Sequence, residues 1–343
     1  MQNEITKECR LLDEKGELIE KGYSKKMLLA YHRNNIKANP KRIKEWDYYL
    51  IYNDNYAVAL TVADNSYMGL LSASVIDLVH GTEKTVSRVQ LGTNGSYHLP
   101  ESSVYGDTVV ETKKAKAEFL HQRENRRLFF DMPDFEKGKN LHVDFLLTHE
   151  PEESMCIATP FDKVRHFYYN QKIVGMRAEG EVKIGDNEIK FSPKDTVALL
   201  DWGRGVWTRS NTWYWGAGAK EIGGKMFGFN IGYGFGNTLK ATENMLFYDG
   251  KAHKLENVTF VIPKDAKGND DYMKPWKFVS SDHRFEMDFQ PVINRHSNTN
   301  LVIISSNQNQ VFGKFSGTAI LDDGKKIVVK DMMGFAEKVK NVW

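Results

Sequence analysis

The chain has 343 residues, an aromatic share of 12% and a net charge of +2 from nearly balanced acidic and basic side chains. That length exceeds an ordinary single domain, and the aromatic content suits half-buried pleated surfaces. The charge balance leaves no electrostatic footprint for nucleic acid, and the apolar content excludes a disordered chain.

Residues 1–44 read as an exposed approach, with a hairpin signal at Asp13-Glu14-Lys15-Gly16 and a short helix around 26–33 that Pro40 closes. From Trp46 the period becomes two. Trp46, Tyr48, Leu50 and Tyr52 share one strand face, and Asp47, Tyr49, Ile51 and Asn53 share the other. Turns at 53–55 and 64–66 lead into strands at 56–63 and 67–78, a three-stranded meander. Short strand candidates then recur at 85–91, 108–114, 117–122, 128–132 and 141–148. A connection at 150–154 separates them from a second series that runs from 167 to 331, and the tail at 334–342 reads as one or two helical turns. The fold class is therefore all-β: two lipocalin- or calycin-like antiparallel β-barrel domains packed together, with few short helices. Their spans are 1–155, with its N-terminal extension, and 156–343.

Several chemistries find no support. Cys9 and Cys156 lie far apart without metal-like spacing, which favours a reducing compartment. The N-terminus lacks a basic region followed by an apolar core, and the longest mainly apolar stretch, 68–79, is too short and too polar to span a bilayer. A cytoplasmic protein with no integral membrane segment is expected. The ten histidines show no zinc-binding pattern, the glycine run precedes no Gly-Lys-Ser/Thr, and Gly-x-Ser-x-Gly is absent. No metal and no cofactor are expected.

Two segments carry the functional signal. In 226–236, Phe227, Phe229, Ile231, Tyr233 and Phe235 alternate with Gly228, Asn230, Gly232, Gly234 and Gly236. Glycine weakens a strand, so four on one face need a cause. Either they kink a coiled barrel strand whose neighbours fill the gap, or they leave a ligand trough with Asn230 as its polar handle. Just upstream, Trp202, Trp207, Trp213 and Trp215 crowd around Asp201 and Arg204. A carboxylate among apolar walls beside a guanidinium suits acid chemistry, while a buried Asp–Arg pair is also an ordinary structural device. Glu243 opens a strand next to Phe247 and faces either the trough or its own loop. Glu45 and Asp47 flank Trp46 on a shared face, and Arg295 and His296 fall in a turn-like segment open to an anion.

The strings 42–49, 228–236, 241–250, 310–317 and 334–339 resemble the signature of a bacterial family described only as domain of unknown function 2804, across almost the whole chain. That family brings no established activity. The order Asp-Trp-Gly, Trp-Tyr-Trp-Gly, Tyr-Asp-Gly-Lys is similar to the central motif of the carotenoid 1,2-hydratase and AttH-like superfamily. That resemblance implies two calycin-type domains and, in some members, hydration or cyclisation of isoprenoid-like substrates without a redox cofactor. It places Asp201 at the acidic position and Trp213 and Trp215 at the aromatic pair. The expectation is thus a small, largely apolar ligand held by Trp202, Trp207, Trp213, Trp215, Asn230 and Tyr233. Asp201 is the expected proton donor, Arg204 its electrostatic partner and Glu243 a second acid or base. A non-catalytic lipid or metabolite carrier and a ligand-free structural module remain the competing readings.

Overall fold

The computed structural model describes residues 2–301 and 304–342. Among them the chain forms two large antiparallel sheets, each curled into a half-barrel, and one small parallel pair. In the first sheet the order is Thr82–Leu91, Met68–Asp77, Tyr56–Asp64, Ile43–Tyr52, Val197–Val206, Phe167–Ile184, Lys139–Thr148, Asn125–Glu136, Lys116–Gln122 and Thr108–Glu111. Met155–Pro160 pairs with the first half of Phe167–Ile184, and Asn187–Phe191 with the second. Around a bulge between Val174 and Met176 one edge of that long strand passes from Met155–Pro160 to Lys139–Thr148 while the other keeps Val197–Val206, and Gly175 supplies the φ of 96° that the extra residue requires.

The second sheet runs Lys251–Lys254, Met245–Tyr248, Lys225–Tyr233, Ser210–Ile222, Lys326–Val342, Ile304–Ile320, Phe285–Leu301, Trp276–Ser280 and Val258–Val261. Sheet membership changes between Val206 and Ser210. The strands that follow the 150–154 connection therefore complete the first barrel, because Phe167–Ile184 returns to pair with Lys139–Thr148. The division expected near 155 does not coincide with this change of sheet.

Three apolar cores follow from strand alternation. Tyr49, Ile51 and Leu60 point into the first barrel with Phe130, Phe145 and Trp202. Phe227, Phe229, Trp276 and Phe315 fill the second. The alternate residues of the same strands, including Tyr48, Leu50, Tyr52, Trp215 and Phe335, meet between the two sheets and form a third core. Strands buried on both faces lose the apolar–polar alternation of a one-sided sheet. This explains the tail: Phe335 lies in the interface core and its neighbour Ala336 in the second barrel, so a two-sided strand, Lys326–Val342, takes the place of the expected helical turns.

Nor is there a helix at 26–33. Leu29–Ala30 pairs in parallel with Cys9–Arg10, Gly22–Ser24 pairs with Met155–Pro160, and among the described residues the only helical turns of the approach are the 3-10 turns Arg33–Asn35 and Pro40–Arg42. Burial alternates there as in a strand, with Leu29 and Tyr31 inward and Ala30 and His32 outward. No helix among the described residues is long and apolar enough to cross a membrane.

Candidate functional site

Two registered rows of side chains face each other across the interface. In the first sheet, Asp201 lies directly opposite Lys172 on one neighbouring strand and Tyr48 on the other. In the second sheet, Trp215 lies opposite both Gly232 and Glu337, Glu337 opposite Gln310, and Gln310 opposite Arg295. Directly opposed residues in an antiparallel ladder project to the same face, so each row presents one polar line to the other sheet.

Several contacts join the rows. The Lys172 ammonium is 2.8 Å from Asp201 Oδ2 and 3.8 Å from the centroid of the Trp215 ring. Gln310 Nε2 donates to Glu337 Oε2 at 3.0 Å and to the Tyr48 hydroxyl at 3.4 Å. Trp213 Nε1 donates to Glu337 Oε1 at 3.0 Å, and Trp215 Nε1 to Asn230 Oδ1 at 2.7 Å. Asn230 in turn donates to the Glu243 carbonyl at 2.9 Å, and Asn170 Nδ2 to Asp201 Oδ1 at 2.6 Å.

Burial dominates the electrostatics. It raises the Glu337 carboxyl to about 7, against the opposing pull of the Trp213 indole and the Arg295 and Lys172 cations. It also raises Glu243, where Lys172 and Asn230 pull the other way and the Asp201 charge adds to the rise. Burial pushes Tyr48 up to about 12. Tyr168 rises well above its ordinary value by burial first, then through Asp201, Glu243 and Glu337. Three carboxyls thus share one ammonium in an aromatic shell, and burial raises two of them, Glu337 and Glu243, above the ordinary carboxylate range.

Glycines shape this centre by letting neighbours approach. A Cβ on Gly203 would lie 1.9 Å from the Trp46 ring, which crosses that position to stack on Tyr168. A Cβ on Gly232 would lie 2.6 Å from Glu243 Oε1, so the carboxyl occupies the room a side chain would take. Gly228 meets Val174 of the first sheet in the same way. The glycine-lined face is therefore filled by its neighbours. Open space lies beside it, in a cleft of about 700 Å³ that Thr212, Gly234, Gly236 and Thr242 help to line.

The sequence matches the family described as Domain of unknown function (DUF2804) over residues 2–343. The chain belongs to the DUF2804 family. No curated protein matches it in sequence. Solved structures share its fold. CghA with Sch210972 has a TM-score of 0.58 at 11% identity, over 97% of this chain and 96% of that one. Kievitone hydratase from Nectria haematococca gives 0.52 at 11% identity, over 98% of each chain. A putative AttH from Nitrosomonas europaea gives 0.53 at 10% identity, over 90% of this chain and 96% of that one. At these identities the likeness is one of fold.

In this DUF2804 chain the interface brings together Asp201, Glu243, Asn230, Trp213 and Trp215. Trp207 walls the same region through ring contacts with Trp46, Trp213 and Phe235. Arg204 does not join Asp201. An odd separation along a strand puts them on opposite faces, and Arg204 points into the first barrel, where it is fully buried and donates to Asp47 at 3.0 Å and to the carbonyls of Trp46, Gly203 and Pro100. Trp202 shares that inward face, with the guanidinium 4.3 Å over its ring. Tyr233 lies against the second barrel's core, stacked on Tyr214 at 4.4 Å. Lys172, Glu337, Gln310, Tyr48 and Tyr168 were not singled out by sequence. A lone charge, Lys172, in the otherwise uncharged stretch 167–176 and a glutamate beside Phe335 and Ala336 were the available signals. Arg295 belongs to the strand Phe285–Leu301, not to a turn. Glu45 accepts from Tyr31 at 2.7 Å within the first barrel and has no part in the interface centre. Among the described residues no cluster of ligands suits a metal ion.

Proposed function

We propose that this DUF2804 protein binds a small, largely apolar molecule between its barrels and converts it by cofactor-free acid catalysis: hydration, isomerisation or cyclisation. The observation that carries the reading is the Glu337 carboxyl, raised by burial to about 7 beside the Lys172–Asp201 ion pair. An acid with a pKa near neutrality is suited to donate a proton there. Asp201, expected from sequence as the donor, is paired with Lys172, and we assign the donor role to Glu337. The proton moves from Glu337 to an unsaturated carbon of the ligand. The Trp213 indole N–H, which donates to Glu337 Oε1, holds the carboxyl in place. Asp201 or Glu243 then takes a proton from an attacking water, giving hydration, or from a neighbouring carbon, giving isomerisation or ring closure. The Lys172 and Arg295 cations stabilise the Glu337 carboxylate left behind.

The test is to extract small molecules from protein purified from its own host, identify them by mass spectrometry, and return them to the enzyme in heavy-oxygen water. A labelled product, or an isomer, that Glu337→Gln no longer forms supports the reading. Recovery of the unchanged ligand from both proteins supports the carrier reading instead, which the complete pairing of Asp201 favours.

A further inference from the structure

The cleft of about 700 Å³ beside the interface has the dimensions of a small-molecule site, but its walls are unlike the aromatic centre next to it. Ser210, Thr212, Thr238 and Asn257 line it, and their side chains make no hydrogen bond among the described residues. Two exposed carboxylates, Asp162 and Glu256, also line it, and among the described residues no lysine, arginine or histidine does. A phosphate or carboxylate ligand would meet like charge without a compensating cation. Hydroxyl groups, which both donate and accept, match unpaired hydroxyls, amides and carboxylates.

A series of ring contacts leads from the cleft wall to the aromatic centre. Phe161 lines the cleft and meets Phe235 at 5.2 Å, Phe235 meets Trp213 at 5.3 Å, and Trp213 donates to Glu337. Along the chain, Thr212 and Thr242 line the cleft immediately before Trp213 and Glu243.

We infer that this cleft receives a neutral polyhydroxylated group, sugar-like in chemistry, whose apolar remainder extends along Phe161 and Phe235 toward the acid centre. The substrate class is then an amphipathic one, an apolar skeleton carrying a hydroxylated head; this extension to substrate rests on the acid-site reading, while the cleft assignment does not. The probe is octyl β-glucoside, titrated calorimetrically below its critical micelle concentration against 1-octanol and octylamine. The glucoside is expected to bind about tenfold more tightly than octanol, the effect of a few neutral hydrogen bonds. A variant carrying Thr238→Val and Asn257→Leu should lose that advantage, while Glu337→Gln should keep it. Equal binding of octanol and glucoside, tighter binding of octylamine, or an unaltered glucoside affinity in the double variant would overturn the assignment. Those outcomes leave the acid-site reading standing, since its own test is turnover lost in Glu337→Gln.

Discussion

The Lys172 ammonium lies 2.8 Å from Asp201 and 3.8 Å from the Trp215 ring centroid, so one side chain ties a carboxylate of the first sheet to an indole of the second. Lys172 is 3% exposed and Asp201 7%. A charge that deeply placed is tolerated because it is paired and hydrogen-bonded. The same ammonium pulls the titration of both Glu243 and Glu337 downward, which makes it the electrostatic hub of the interface.

Removing one member of this pair strands the other. Lys172→Met is expected to lower the unfolding free energy by about 3–5 kcal/mol, and adding Asp201→Leu to recover most of it, because the apolar pair no longer has a buried charge. Urea unfolding of the wild type, the single variant and the double variant checks this.

Glu337 predicts a pH dependence with a definite sign. In the folded chain its carboxyl holds a proton up to about 7, whereas the ordinary value is 4.5. Between those limits the folded state binds more protons, so the contribution of Glu337 to stability falls as pH rises and then levels off. Across the window the loss is about 3 kcal/mol. The difference in unfolding free energy between wild type and Glu337→Gln should fall by that amount over this range. A pH-independent difference would contradict the buried, protonated acid.

Gly232→Ala places a methyl 2.6 Å from Glu243 Oε1 and 2.8 Å from the Tyr214 carbonyl. The carboxyl can turn away, but the carbonyl belongs to a strand directly paired with this one. A cost of about 1–3 kcal/mol is expected, together with a changed Glu243 titration. Thermal unfolding and carbon NMR of labelled glutamate read the two effects separately.

Arg204 makes a contrasting case. Arg204→Met leaves Asp47 buried beside Thr108 and is expected to destabilise by about 3–5 kcal/mol. Since Arg204 faces the first barrel's core, the Glu337 titration should not move. A shifted Glu337 midpoint in the folded variant would mean that the two faces of Val197–Val206 are coupled.

The period-two runs made the sheet architecture readable, because alternation is written locally in residues such as Trp46 to Tyr52. The candidate site was readable only where its residues lie in neighbouring segments between 201 and 243, as Asp201, Trp213, Trp215, Asn230 and Glu243 do. Lys172 and Glu337 enter through cross-strand register, and their relation to Asp201 and Trp215 depends on bulges and chain returns that no single segment encodes. Arg204 was joined to Asp201 because it is near in sequence, whereas the strand geometry that separates them is the same alternation that identified the strand. Glu337 was hidden for a further reason: Phe335 and Ala336 serve two different cores, and a two-sided strand resembles a short apolar turn of helix.

Difference infrared spectroscopy of the protein with labelled glutamate, compared with Glu337→Gln, addresses the acid centre most directly. A protonated-carboxyl stretch should disappear with a midpoint of about 7 and be missing from the variant. A Glu337 carboxyl that ionises at its ordinary value of 4.5 would contradict this.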